Sequence, residues 1–146
     1  MRKILFRGRR VDNGKWREGS LLHDKEGGFA FISQATGGDY EFSQNTIWEN
    51  VEVIPETIGQ FTGLFDKAGK EIFEGDVVKV SYTREYAYFN GGQRKEDKEE
   101  IRKVSLEHSA FGTISIFGEW PSGWMCEPIT VEVIGNSHDN PELLKD

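Results

Sequence analysis

The apolar residues of this chain come in short alternating bursts, each closed by a turn signal, and nowhere do they recur at the spacing of a long amphipathic helix. That pattern commits the chain to strands. Ile4 and Phe6 alternate with Lys3, Leu5 and Arg7, and Asp12, Asn13 and Gly14 then supply residues that tolerate a tight hairpin turn. Residues 15–23, with Trp16, Leu21 and Leu22, read as the returning strand. Gly27 and Gly28 turn the chain into Phe29–Ser33, and Gly37, Gly38 and Asp39 turn it again before Tyr40 and Phe42. Ile47–Ile54 is a further strand, which Pro55 ends because proline supplies no ladder donor. A domain boundary is expected here, giving an N-terminal β-sheet domain over 1–56.

A second pattern follows over 57–146. TIGQFTGLF, a turn over Asp66–Lys70 and EIFEGDVVKVSY read as a hairpin with a late glycine, leading into a strand with Val78 and Val80 on one face. This shape is common at the entry to strands of SH3-like small barrels. Asn90–Lys103 interrupts it with one apolar residue among five positive and four negative charges. The segment reads as a charged insert over 90–103, a solvated hairpin tip or a short exposed helix, with Lys95 and Glu99 at i,i+4 spacing. Strands resume at Val104–His108, in GTISIFGEW and in ITVEVIG, and Asn140 with Pro141 marks a final helical turn.

Length and charge limit the chemistry. At 146 residues the chain buries roughly 68–70% of its unfolded surface and needs no metal or disulfide staple. The single Cys126, in an aromatic and apolar context, forms no internal bridge and is not set up as a nucleophile. No Walker loop, calcium loop or nucleophile elbow is present. His23, His108 and His138 each adjoin an acid, but neighbours on a strand point to opposite faces, and no metal-ligand spacing links them. No catalytic residue, metal or cofactor is therefore assigned. With no secretory h-region and no run of about 18 apolar residues, a cytoplasmic protein with no membrane partner is expected.

Two features invite binding hypotheses. Arg2, Lys3, Arg7, Arg9 and Arg10 put five positive charges into the first ten residues, so that a net charge of −7 leaves −12 on the rest. Arg7, Arg9 and Arg10 read first as a charged edge that resists aggregation and second as a grip for phosphate or carboxylate. Trp120 and Trp124, flanking a Pro-Ser-Gly turn, read first as anchoring aromatics and second as a stacking platform. Together they would suit single-stranded nucleic acid, a partner that the overall negative charge disfavours.

Three stretches taken in order, KILFRGRRVDNGKWREGSLL, VIPETIGQFTGLFDKAGKEIFEGDVV and VEVIGNSHDNPELL, resemble the YopX family of phage and prophage proteins over nearly the full chain. The middle stretch is the most specific, with Thr57, Gly59, Gln60, Asp66, Gly69, Gly75 and Asp76 at the family's spacing. Phe65 departs from it, standing where the family often has a polar residue, and 83–103 is the variable region. The resemblance implies a phage- or prophage-encoded cytoplasmic protein, mostly β, whose second half is close to an SH3-like barrel. It carries no catalytic residues to this chain. Gly63, Gly69 and Gly75 are expected to serve backbone geometry, and Asp66 and Asp76 to form turns.

The expected fold is thus all-β, an N-terminal sheet followed by a small SH3-like barrel. The expected function is that of a non-enzymatic accessory protein that binds itself or another phage or host protein. Open strand edges favour self-association. The alternatives are single-stranded nucleic-acid binding and a hydrolase-type enzyme using a histidine with Asp66, Asp76 or Glu119.

Overall fold

The computed structural model describes residues 3–37, 46–105, 107–108, 114–115 and 130–144. Tyr40, Phe42, Glu119, Trp120, Trp124 and Cys126 lie outside them. The described residues form strands and two short 3-10 turns, so the chain is all-β. It divides into two units, Met1–Gly63 and Leu64–Asp146.

In the first unit, β1 (Phe6–Arg9), β2 (Trp16–His23), β3 (Ala30–Gly37) and β4 (Ile47–Val53) run as an antiparallel meander, and β5 (Gly59–Phe65) begins beside β1, giving the order β4-β3-β2-β1-β5. The β1–β2 turn falls where Asp12-Asn13-Gly14 indicates, with Gly14 at φ 70° and the Arg10 amide donating to the Lys15 carbonyl at 2.8 Å. This sheet curls until its ends meet. The Val11 amide donates to the Glu52 carbonyl at 3.0 Å, the Ile54 amide to the Arg9 carbonyl at 2.8 Å, and Arg10 bridges Val53, so the end of β4 closes onto the end of β1.

Such tight curvature needs a small residue at the seam. A Cβ on Gly8 would stand 2.9 Å from the Val53 Cβ. Inside the curl, Ala30, Ile32 and Val53 form a buried cluster with Phe6, Leu21 and Ile58 packed against it. Arg17 lies on the same face of β2 as Leu21, and its guanidinium reaches Glu49 on β4 at 2.9 Å. Pro55 ends β4 and starts the 3-10 turn Pro55–Thr57. The Thr57 hydroxyl donates to the Ile54 carbonyl and accepts from the Arg9 amide, tying that turn to β1. The first unit continues past Pro55 because Gly59 and Gln60 pair with Arg7 and Phe6.

The second unit holds β6 (Glu71–Phe73), β7 (Asp76–Ala87), β8 (Gln93–Lys103), β9 (Glu107–His108), β10 (Ile114–Ser115) and β11 (Thr130–Asn136). Its three-stranded sheet has the order β11-β7-β8, and β9 pairs with β10. Ile72, Val78, Val80, Tyr82 and Val104 form its core, with Val131 and Val133 against them. Two aspartates set its turns. Asp66 accepts the Ala68 and Lys70 amides through Oδ1 and the Val133 amide through Oδ2, fastening the turn to β11, while buried Asp76 accepts the Phe73 amide at 2.8 Å. Gly63, Gly69 and Gly75 take φ of 86°, 83° and 91°, conformations that favour glycine. The final 3-10 turn spans Pro141–Leu144.

The segment that reads in sequence as a solvated tip or short helix is, from Gln93 on, a strand. All eleven residues of β8 pair with β7, from Val77↔Lys103 to Ala87↔Gln93, and the tip is confined to Tyr88–Gly92. Alternation of shallow burial along β8, rather than hydropathy, carries the period of two.

Candidate interaction surface

The β7–β8 ribbon is built from a turn that enforces its register. Tyr88 N–H donates to the Gly92 carbonyl at 2.8 Å and Gly91 N–H to the Tyr88 carbonyl at 3.0 Å, with Gly91 at φ 85° and the Asn90 side chain accepting the Gly92 amide. This is a three-residue loop with glycine in its left-handed position, a standard hairpin solution. Its consequence is the placement of aromatic side chains: Tyr88 and Phe89 are exposed at the tip, Phe89 completely. An exposed phenyl ring gains nothing from water, and the turn fixes the backbone that carries it.

Below the tip, the ribbon runs past the core of its own unit. Tyr82 is the last buried apolar residue on β7, and Thr83–Ala87 continue for roughly 17 Å at strand rise. Polar cross-links replace a core along this stretch. The Thr83 hydroxyl donates to Asp97 at 2.7 Å and Lys95 meets Glu85 at 3.1 Å. Nearer the core, Lys79 meets Glu99 at 3.6 Å and the Tyr82 hydroxyl donates to Glu100 at 3.0 Å. Lys98 meets Glu96 at 2.8 Å, a contact that raises the lysine pKa. Exposed pairs of this kind contribute little stability each, so they define a surface more than they hold a fold.

The arginines singled out in the sequence sit on β1 and its extension. Arg9 lies directly opposite Trp16 in the β1–β2 register, and Arg7 is its diagonal neighbour on the same face. The Trp16 ring therefore carries both guanidinium carbons, Arg7 at 4.8 Å and Arg9 at 5.9 Å from its centroid. Cation–π contacts of this geometry contribute roughly 0.5–1 kcal/mol at exposed sites. Arg9 Nε also donates to the Gly14 carbonyl at 3.2 Å. Arg10 forms a two-bonded fork with Asp12, at 2.9 and 2.7 Å, which lowers the Asp12 pKa and raises that of Arg10. A shallow groove of about 340 Å³ beside Arg10 is lined also by Asp12, Glu49 and Glu52, three carboxylates to one guanidinium. Such a groove repels phosphate.

The structure thus brings Arg7 and Arg9 together on Trp16 and turns Arg10 toward Asp12. Trp16 was not singled out in sequence, although the Asp12-Asn13-Gly14 turn fixes the register that sets it opposite Arg9. Trp120 and Trp124 lie outside the described residues. Asp66 and Asp76, considered as partners for a catalytic histidine, have carboxylates engaged by backbone amides. His23 Nδ1 lies 3.0 Å from the Asp24 carbonyl, and His138 is exposed beside Asn136. Among the described residues no group of three or more His, Cys, Asp or Glu side chains is placed to hold a metal ion, and no helix is long and apolar enough to cross a membrane.

No curated protein matches the chain. The family model described as YopX protein matches residues 5–145, spanning both units and every strand described above. The chain belongs to the YopX family.

Proposed function

We propose that the protein is a phage- or prophage-encoded accessory protein of the host cytoplasm that acts by non-covalent contact with protein, itself included, and not by catalysis. The observation that supports this reading is the β7–β8 ribbon, an ordered two-stranded arm with exposed Tyr88 and Phe89 on a fixed turn. Aromatic side chains at the end of a preorganised hairpin suit a pocket on a partner, because the backbone that carries them loses little conformational entropy when they dock. Family membership supports the phage-type origin. The SH3-like barrel that the family resemblance implies for the second half, an architecture that commonly presents loops to ligands, supports binding by analogy only.

The test compares the wild-type chain with Phe89→Ser, in sedimentation across the micromolar range and as bait in an extract of lysogenic cells. Self-association, or a captured protein lost in Phe89→Ser, is the expected result. A chain that stays monomeric and captures the same proteins as its Phe89→Ser variant would overturn the reading.

A further inference from the structure

We infer that two copies of the chain pair through the outer edge of β8, antiparallel and about a twofold axis passing through Asp97, to join two three-stranded sheets into one of six strands. This deepens the protein-contact reading above and rests on it. β8 is an edge strand among the described residues, pairing only with β7. The bonds that flank it fix which of its backbone groups face outward. The Tyr88 amide bonds the Gly92 carbonyl at one end and the Val104 amide bonds the Asp76 carbonyl at the other. Hydrogen-bonded pairs alternate along an antiparallel ladder, so even-numbered residues of β8 bond to β7 and odd-numbered ones, 93 to 103, turn their N–H and C=O groups to the open edge.

The side chains then select a partner and a register. Centred on Asp97, a second β8 would set Arg94 opposite Glu100, Lys95 opposite Glu99 and Glu96 opposite Lys98, and each of these pairs occurs twice by symmetry. The charge order is antisymmetric about Asp97. A shift of one residue, to an axis through Lys98, would instead oppose Arg94 with Arg102, Glu96 with Glu100, and Asp97 with Glu99. Charged edge strands ordinarily block pairing, since lysines and acids placed at random meet like charges in a neighbour. Here the register centred on Asp97 converts that protection into recognition, and the one centred on Lys98 rejects it. The one like pair, Asp97 with its symmetry mate, falls on the axis, where the Thr83 hydroxyl already donates to each carboxylate. Pairing over residues 93–101 closes about ten backbone hydrogen bonds between copies. The 3-10 turn Pro141–Leu144 contacts β8, and the chain leading into it is tied to the Val104 end, because Ser137 N–H donates to the Gly75 carbonyl and Gly75 N–H to the Val104 carbonyl.

The register is tested by thiol cross-linking in a Cys126→Ser background, which removes the single native thiol. Across the axis, the two residues at 97 form a hydrogen-bonded pair with Cα atoms about 5.5 Å apart, within the range a disulfide spans. Asp97→Cys is expected to cross-link to dimer under mild oxidation, while Glu99→Cys, four residues out of register with its own copy, is not. In sedimentation, Glu96→Lys is expected to raise the dimer Kd about tenfold by setting lysine against lysine twice, and Glu96→Lys/Lys98→Glu to restore it. Circular dichroism of each variant confirms that the strands are retained. A dimer that neither cross-links at 97 nor responds to Glu96→Lys would overturn β8 pairing and leave self-association through another surface. A monomer at all concentrations would overturn β8 pairing and leave only a partner protein captured through Phe89 to support the wider reading.

Discussion

Asp66 shows how much one side chain can determine in a small β unit. Its carboxylate holds the turn from Asp66 to Lys70 and, through the Val133 amide, fastens that turn to a strand 67 residues away. The Val133 bond, opposed by burial and supported by the Lys70 and Ala68 amides, holds the Asp66 carboxyl below the ordinary aspartate range. The sign of the pH effect follows: a carboxylate whose folded pKa lies under its unfolded value stabilises the fold fully above that unfolded value, near 3.8, and loses the contribution as pH falls through the folded pKa. Asp66→Ala is expected to cost roughly 2–3 kcal/mol at neutral pH, from amides left without an acceptor. In urea titrations the gap between wild type and Asp66→Ala should narrow as pH drops below that value; a gap that stays constant with pH would show that the charge is not what matters. Gly8 acts by absence. With Val53 standing where its Cβ would go, Gly8→Ala is expected to destabilise by about 1–3 kcal/mol through overpacking, read as a lower denaturant midpoint.

At the scale of elements, the turns were legible and the ribbon was not. Asp12-Asn13-Gly14 marks its hairpin because only a few residues accept the backbone conformations of a tight turn, and Pro55 marks the end of β4 because it lacks an N–H. β8 carries neither signal. Past Tyr82 its partner β7 offers only Tyr86 and Ala87 among polar residues, so no apolar stripe develops, and a sequence such as RKEDKEEIRK offers helical i,i+4 pairs as readily as cross-strand ones. What decides for strand is its eleven-residue register with β7, a non-local fact. The candidate site was legible in the same uneven way. Arg7 and Arg9 stood out by charge, but their common support, Trp16, becomes visible only once the hairpin register is applied. Because the tip is exposed and its turn is made by Asn90 and Gly91, Phe89→Ser is expected to leave stability within about 0.5 kcal/mol of wild type. A larger loss in thermal unfolding would mean that Phe89 is a packing residue and not a contact residue.

For the whole molecule, charge decides between partner classes. Polyanion affinity grows with the number of phosphates that Lys and Arg neutralise, and this chain carries 25 acidic against 18 basic residues. The local exception at the N-terminus is weaker than its sequence suggests: Arg10 is bonded to Asp12, the groove beside it is lined by further carboxylates, and Arg7 and Arg9 lie against Trp16. Were both stacked arginines to meet a phosphate backbone, each phosphate contact to a single strand would contribute only about 0.7 to the slope of affinity against salt. A labelled oligothymidine is therefore expected to show no binding at about 10 µM protein and low salt, the regime in which nonspecific binders already bind. Asp12→Ala sharpens the test, since it frees the Arg10 fork and removes one acid. If the wild-type chain binds and Arg9→Ala abolishes that binding, the β1 arginines form a nucleic-acid surface despite the net charge. If only Asp12→Ala binds, the Arg10–Asp12 pair is what keeps this basic edge from holding phosphate, and the protein's charge pattern is directed toward protein surfaces.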